Sequence, residues 1–208
     1  MLFEARNVTG EPGSGVRYHP VSLQLEAGDI LTIYGQSGIG KSQFLRALAD
    51  LTPHTGDVLL DGISQTKIRP EHWRKQVGYV PAESGWWADI VAQHFSEPPP
   101  KEWLSSLSLV PELLDAPIER LSTGERQRLA LVRALVLQPR VLLLDEPTAN
   151  LDQRNARKLI ELVKTYAHTQ QAAVIWVSHD ADERALLGTN TLALHAGSST
   201  QTDLAHEH

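Results

Sequence analysis

A chain of 208 residues, 41% of them apolar, can bury a substantial core in one domain with a subdomain, and has no room for a second catalytic domain. The net charge of −6 and the lack of a Lys/Arg-dense segment argue against a surface that wraps nucleic acid, and zero cysteines exclude disulfides and thiolate metal sites. The opening Met1-Leu2-Phe3-Glu4-Ala5-Arg6 has no basic segment leading into an apolar one, so the cytoplasm is the expected compartment.

In chain order, Leu2 to Val8 and the alternating Val21, Leu23 and Leu25 read as strands able to pair. Ile30 to Tyr34 is a continuous apolar run, and Phe44, Leu45, Leu48 and Leu51 follow at helical spacing before Pro53 and Gly56. Val58 to Leu60 and Val77 to Val80 read as short strands. Pro98-Pro99-Pro100 marks a break, and around it Ala88 to Phe95 and Lys101 to Leu109 read as helices of a small insertion between about Gly85 and Leu121. The pattern then alternates: helix Gly124 to Gln138, strand Val141 to Leu144, helix Gln153 to His168, strand Ala173 to Val177, a short helix from Asp180, and strand Thr191 to His195.

That alternation implies an α/β fold with a mostly parallel sheet covered on both faces, whose ligands bind at the carboxyl ends of the strands. Residues 1–208 are expected to form a single domain, with a β-rich start, a helical subdomain at about 85–121 and a polar tail from Gly197 to His208. In the tail, His206 and His208 are read as part of a polar end rather than a metal site. The longest apolar-looking region, Leu129 to Leu144, is interrupted by Arg133, Pro139 and Arg140, short of the ~20 apolar residues a membrane span needs.

Chemistry concentrates in three places. Gly35-Gln36-Ser37-Gly38-Ile39-Gly40-Lys41-Ser42 fits the pattern G-x-x-x-x-G-K-[ST] and stands between a strand and a helix. Glycines let successive backbone N–H groups turn inward onto phosphate oxygens, and the helix N-terminus adds its positive dipole end. Lys41 can then reach the β- and γ-phosphates, and the Ser42 hydroxyl can ligate Mg²⁺. Val141 to Leu144 ends in Asp145 and Glu146, and a charge at the end of a buried run needs a partner, which Mg²⁺ supplies. Asp145 would hold the ion through water or Ser42, and Glu146 would polarise the water that attacks the γ-phosphate. Leu121-Ser122-Thr123-Gly124-Glu125-Arg126-Gln127-Arg128 reads locally as a helix N-cap, with Ser122 or Thr123 accepting N–H bonds and Glu125 in the first turn.

Together these segments resemble the ATP-binding cassette (ABC) family. The phosphate loop, the Ser122 segment as signature motif, Asp145-Glu146, Ala149-Asn150-Leu151-Asp152 as D-loop and Val177-Ser178-His179-Asp180 as switch-histidine loop occur in the family's order. The resemblance implies an ATPase with ATP and Mg²⁺ as cofactors, Gly35 to Gln43 on the nucleotide, and Lys41, Glu146 and His179 in catalysis. It also implies head-to-tail pairing with a second copy, whose ATP would meet Ser122, Thr123, Gly124 and Glu125 in trans, with Asp152 coupling the two sites. The implied partner is an integral membrane permease, with the chain peripheral on the inner face of the membrane. Size and the stretch Ala173 to Glu183 resemble small bacterial ATPases of the iron-export type. Two other readings stand beside this one: a soluble ABC ATPase acting on nucleic acid or ribosomes, and a degenerate cassette that binds ATP without turning it over.

The sequence departs from the family at several points. Gln43 stands where a threonine is usual, and Thr123 replaces the first of two glycines in the signature. Ala82 takes the place of the family's glutamine after Val77-Gly78-Tyr79-Val80, so that either Glu83 substitutes as a metal contact or the contact is lost. The adenine-stacking aromatic falls near Pro12, with Tyr18 as stand-in. Trp86-Trp87 reads as packing or a partner-facing surface.

Overall fold

A computed structural model describes residues 1–10, 18–188, 190–195 and 201–202. Strands β1 (Phe3–Gly10), β2 (Val21–Leu25), β4 (His54–Leu60) and β5 (Ile63–Ser64) form an antiparallel sheet in the order β2-β1-β4-β5. The alternation of Val21, Leu23 and Leu25 matches it, because these residues are buried while Ser22 and Gln24 face outward.

The second sheet has the order β10-β9-β3-β8-β7-β6, from β3 (Ile30–Gly35), β6 (Val77–Val80), β7 (Val141–Asp145), β8 (Ala173–Val177), β9 (Thr191–Leu194) and β10 (Gln201–Thr202). Strands β9, β3, β8, β7 and β6 run parallel, and β10 pairs antiparallel with β9 at one edge. The α/β architecture inferred from the sequence, a mostly parallel sheet with an antiparallel β unit near the N-terminus, is the one found.

The continuous apolar runs have a simple cause. Val141 and Leu143 of β7, with Ala173, Ile175 and Val177 of β8, point into one core, where α1 (Lys41–Leu48) and the antiparallel sheet pack. Leu142, Leu144, Val174 and Trp176 point into the other, with α4 (Thr123–Val136) and α5 (Gln153–Gln170). A strand covered on both faces has no position for a polar residue until it ends.

Between these elements lie α2 (Pro70–Gln76), α3 (Lys101–Ser106) and α6 (Ala181–Leu187). Helix α2 was absent from the sequence expectation; Pro70 opens it, and the buried Trp73 indole donates to Leu48 O at 2.9 Å, tying it to the end of α1. Two expected helices are shorter. Within Ala88 to Phe95 only Val91–His94 forms a 3₁₀ turn, because the His94 ring takes the amides of Trp87 and Ala88 at 2.9 and 3.0 Å. In Lys101 to Leu109 the helix stops at Ser106, and Ser108 turns left-handed at φ 55°. The β10 pairing lies in the stretch read as a tail; His206 and His208 lie outside the described residues, as does Pro12. Among the described residues no helix is long and apolar enough to cross a membrane.

Candidate functional site

The phosphate loop leaves β3 at Gly35, where a Cβ would stand 2.5 Å from Leu194 O of β9, so only glycine fits this approach. It enters α1 at Gly40, whose position at the helix N-cap carries no side-chain cap. The first amides of α1 are thereby open to an external anion. Lys41 is buried to 6% exposure, and its ammonium donates to Gly35 O at 3.0 Å and Gln36 O at 3.1 Å, spanning the loop. Burial pushes its pKa below the ordinary value, while the charges of Glu146 and Asp145 pull it back up. Gln36, Ser37, Gly38, Ser42 and Gln43 are exposed, and Ile39 is buried beneath them.

Strand β7 delivers Asp145, 4% exposed, at its carboxyl end. Tyr79 of β6 donates its hydroxyl to Asp145 Oδ2 at 3.1 Å. Glu146 follows in a left-handed conformation at φ 48°, uncommon for a residue with a Cβ. Its backbone is gripped from both sides: its N–H donates to Val177 O at 3.1 Å, and its carbonyl accepts from Gln127 Nε2 at 3.1 Å. Its side chain meets His179, whose Nε2 lies 2.9 Å from Glu146 Oε1. The Ser178 hydroxyl donates to Glu183 Oε2 at 2.7 Å, and Arg184 donates to His179 O at 3.1 Å while stacking over the Tyr34 ring at 4.6 Å. These contacts hold the His179 loop against the strand that feeds the phosphate loop.

The signature segment is a capping box at the start of α4. Glu125 N–H donates to Ser122 Oγ at 3.2 Å, and the Ser122 amide and hydroxyl donate to Glu125 Oε2 at 2.8 and 2.7 Å. Those bonds hold the Glu125 carboxyl below its ordinary value. Ser122 and Thr123 are exposed, and a Cβ on Gly124 would stand 3.2 Å from Leu151 Cδ2. Asn150 donates to Gln127 Oε1 at 3.2 Å, joining that segment to the signature helix. Asp152 caps α5, accepting from Asn155 N–H at 2.8 Å.

The structure therefore brings Lys41, Asp145, Glu146 and His179 to the carboxyl ends of adjoining strands, while Ser122 to Glu125 stand at the start of α4. Glu83 does not join the first group: it is exposed and lines a separate hollow with Ala82, Ser84, Thr123, Arg126 and Gln127. Tyr18 is buried with its ring edge-on to Phe44 at 5.7 Å, so it offers no face for an adenine. Trp86 packs into the core beside His94, and Trp87 is 73% exposed. Tyr79, Gln127 and Arg184 carry site contacts that sequence reasoning missed.

A parallel sheet with a phosphate loop at the tip of one strand and a carboxylate pair at the tip of another defines a P-loop nucleotide triphosphatase. The family described as ABC transporter matches residues 18–149, and the chain belongs to it, as an ATP-binding subunit that hydrolyses ATP. The chain is 34% identical over 194 residues to the probable iron export ATP-binding protein FetA of Escherichia coli (strain K12), covering 88% of this chain and 86% of that one. It is 32% identical over 203 residues to the phosphate import ATP-binding protein PstB of Aeropyrum pernix, covering 85% and 80%. Its fold matches a dimeric ATP-binding cassette in a post-hydrolysis state bound to ADP and Pi, with a TM-score of 0.81 at 23% identity over 96% of this chain and 98% of that one.

Proposed function

We propose that the chain is one half of a head-to-tail pair of cassettes that binds ATP with Mg²⁺ and powers a separate integral membrane permease from the inner face of the cell membrane. The observation that carries this reading is the meeting of Lys41, Asp145, Glu146 and His179 at one end of the sheet, with His179 Nε2 2.9 Å from Glu146 Oε1.

The residues present fit a hard cation. Asp145 is a nearly buried carboxylate with Oδ2 engaged by Tyr79 and no other hydrogen bond to its carboxylate among the described residues. No cluster of three or more acidic or histidine ligands occurs among the described residues, which suits Mg²⁺ shared between one or two protein ligands, water and phosphate. Ser42 and Asp145 would hold it; Glu83, on the other hollow, is the weaker candidate. When bound, Mg²⁺ neutralises charge on the transferred phosphoryl group. Gly35 to Gln43 cradle the phosphates, and Lys41 leaves the two carbonyls for phosphate oxygen. Glu146 accepts the proton of the attacking water, and His179 moves from Glu146 to the terminal phosphate. Ser122, Thr123, Gly124 and Glu125 close over the nucleotide of the second copy.

The segment from Glu83 to the exposed Trp87 is the face assigned to the permease, since exposed tryptophans anchor interfaces. Similarity to a probable iron export protein over most of both chains supports an exporter of that type, acting without nucleic acid. Purification from membranes with an affinity tag tests the reading: a polytopic membrane protein should copurify, and ATP turnover should depend on Glu146. ATPase activity stimulated by RNA or DNA, with no membrane partner recovered, would contradict it.

A further inference from the structure

The Tyr79 side chain packs against the core under the antiparallel sheet, and its hydroxyl oxygen lies 3.1 Å from Asp145 Oδ2. Strands β6 and β7 run parallel with Tyr79 beside Leu143, so the phenol reaches along its neighbour to the carboxylate at the strand end. The geometry points to Tyr79 as a positioning residue of the nucleotide site: by holding Oδ2, the phenol fixes the Asp145 carboxylate so that Oδ1 is presented to the metal. The inference rests on the Mg²⁺ reading above.

Two observations carry it. Asp145 is almost buried, so its rotation is governed by protein contacts, and the phenol is the hydrogen-bond donor its side chain meets among the described residues. The ring is half-buried and packs on the core under the antiparallel sheet, which a phenylalanine ring would do equally well. The hydroxyl is therefore separable from the packing. One hydrogen bond to a carboxylate contributes a modest free energy, and its loss leaves the acid free to turn.

The experiment compares wild type, Tyr79→Phe, Asp145→Asn and the double variant in the full chain. Binding of a fluorescent ATP analogue is titrated with and without Mg²⁺, and thermal unfolding is recorded alongside. In Tyr79→Phe the metal-free affinity should stay at the wild-type value and the melting temperature should fall by no more than about 4 °C, the cost of one hydrogen bond, while the Mg²⁺ concentration giving half of the affinity gain should rise about fivefold. Adding Tyr79→Phe to Asp145→Asn should change nothing further, because the phenol acts through that carboxylate. An unchanged Mg²⁺ midpoint in Tyr79→Phe overturns the inference. So does a parallel loss of melting temperature and metal-free affinity, which marks a structural role, or an independent effect in the Asp145→Asn background. If wild type shows no Mg²⁺ effect at all, the metal reading itself fails and takes this inference with it.

Discussion

In the proposed reading, Lys41 is the residue on which nucleotide binding turns. Its ammonium is held off solvent by burial and satisfied by two loop carbonyls, an arrangement that a phosphate can replace with stronger, charge-assisted bonds. Lys41→Ala should abolish ATP binding in calorimetric titration, and an affinity equal to wild type would contradict the assignment. Glu146→Gln keeps the shape and removes the proposed base. It should leave ATP binding intact and lower turnover by about 10²–10⁴-fold in a phosphate-release assay. The residues behind these two predictions were legible because each belongs to a short local pattern: glycines before a lysine, or carboxylates after an apolar run. Tyr79 and Gln127 were not, since their partners lie 66 and 19 residues away and nothing in their own neighbourhoods marks them. The replacement at Ala82 was visible, but that Glu83 faces a hollow apart from Asp145 depended on how the loop folds.

Among the elements, α4 links the signature to the catalytic loop. Its first turn carries the Ser122–Glu125 capping box, its next turn holds Glu146 O through Gln127, and Gly124 lies against Leu151. Gly124→Ala should displace that neighbour by a few tenths of an ångström and lower turnover while nucleotide binding to the isolated chain persists, read by the same two assays. Glu125 has its folded pKa below the ordinary value of 4.5, chiefly through the Ser122 hydroxyl. The stability it contributes is full above that value and is lost as pH falls through the folded pKa. Urea unfolding of wild type and Glu125→Gln should therefore differ by about 0.5 kcal/mol at pH 7 and by nothing near pH 2, the small size reflecting solvent screening. A helix cap with Glu125 in its first turn was readable from the sequence, while the choice of Ser122 over Thr123 came from the structure. The two shortened helices near Pro98 were not, because His94 and the serines at 105 and 106 spend local hydrogen bonds in ways that apolar spacing does not encode.

For the whole molecule, the proposed site is one that a second copy completes. The start of α4 and the phosphate loop belong to different places on one chain, and head-to-tail pairing is what would bring the first of these onto ATP. Glu146→Gln with ATP should elute in gel filtration at twice the protomer mass, and should return to a monomer when ATP is replaced by ADP. A variant that stays monomeric with ATP counts against the composite site. The sheet supporting this was predictable in type, since apolar runs alternate with amphipathic helices, but not in strand order, which no local pattern carries.

Strand order has a further effect. Strand β8 lies between β3 and β7, so the strand bearing the phosphate loop and the strand bearing Asp145 are separated by two hydrogen-bonded steps, roughly 10 Å. That gap is a ruler made of backbone. Its length is the same whatever side chains line it, and it cannot be shortened without removing a strand, so the distance between cradle and carboxylate is held constant while every residue around it remains free to vary.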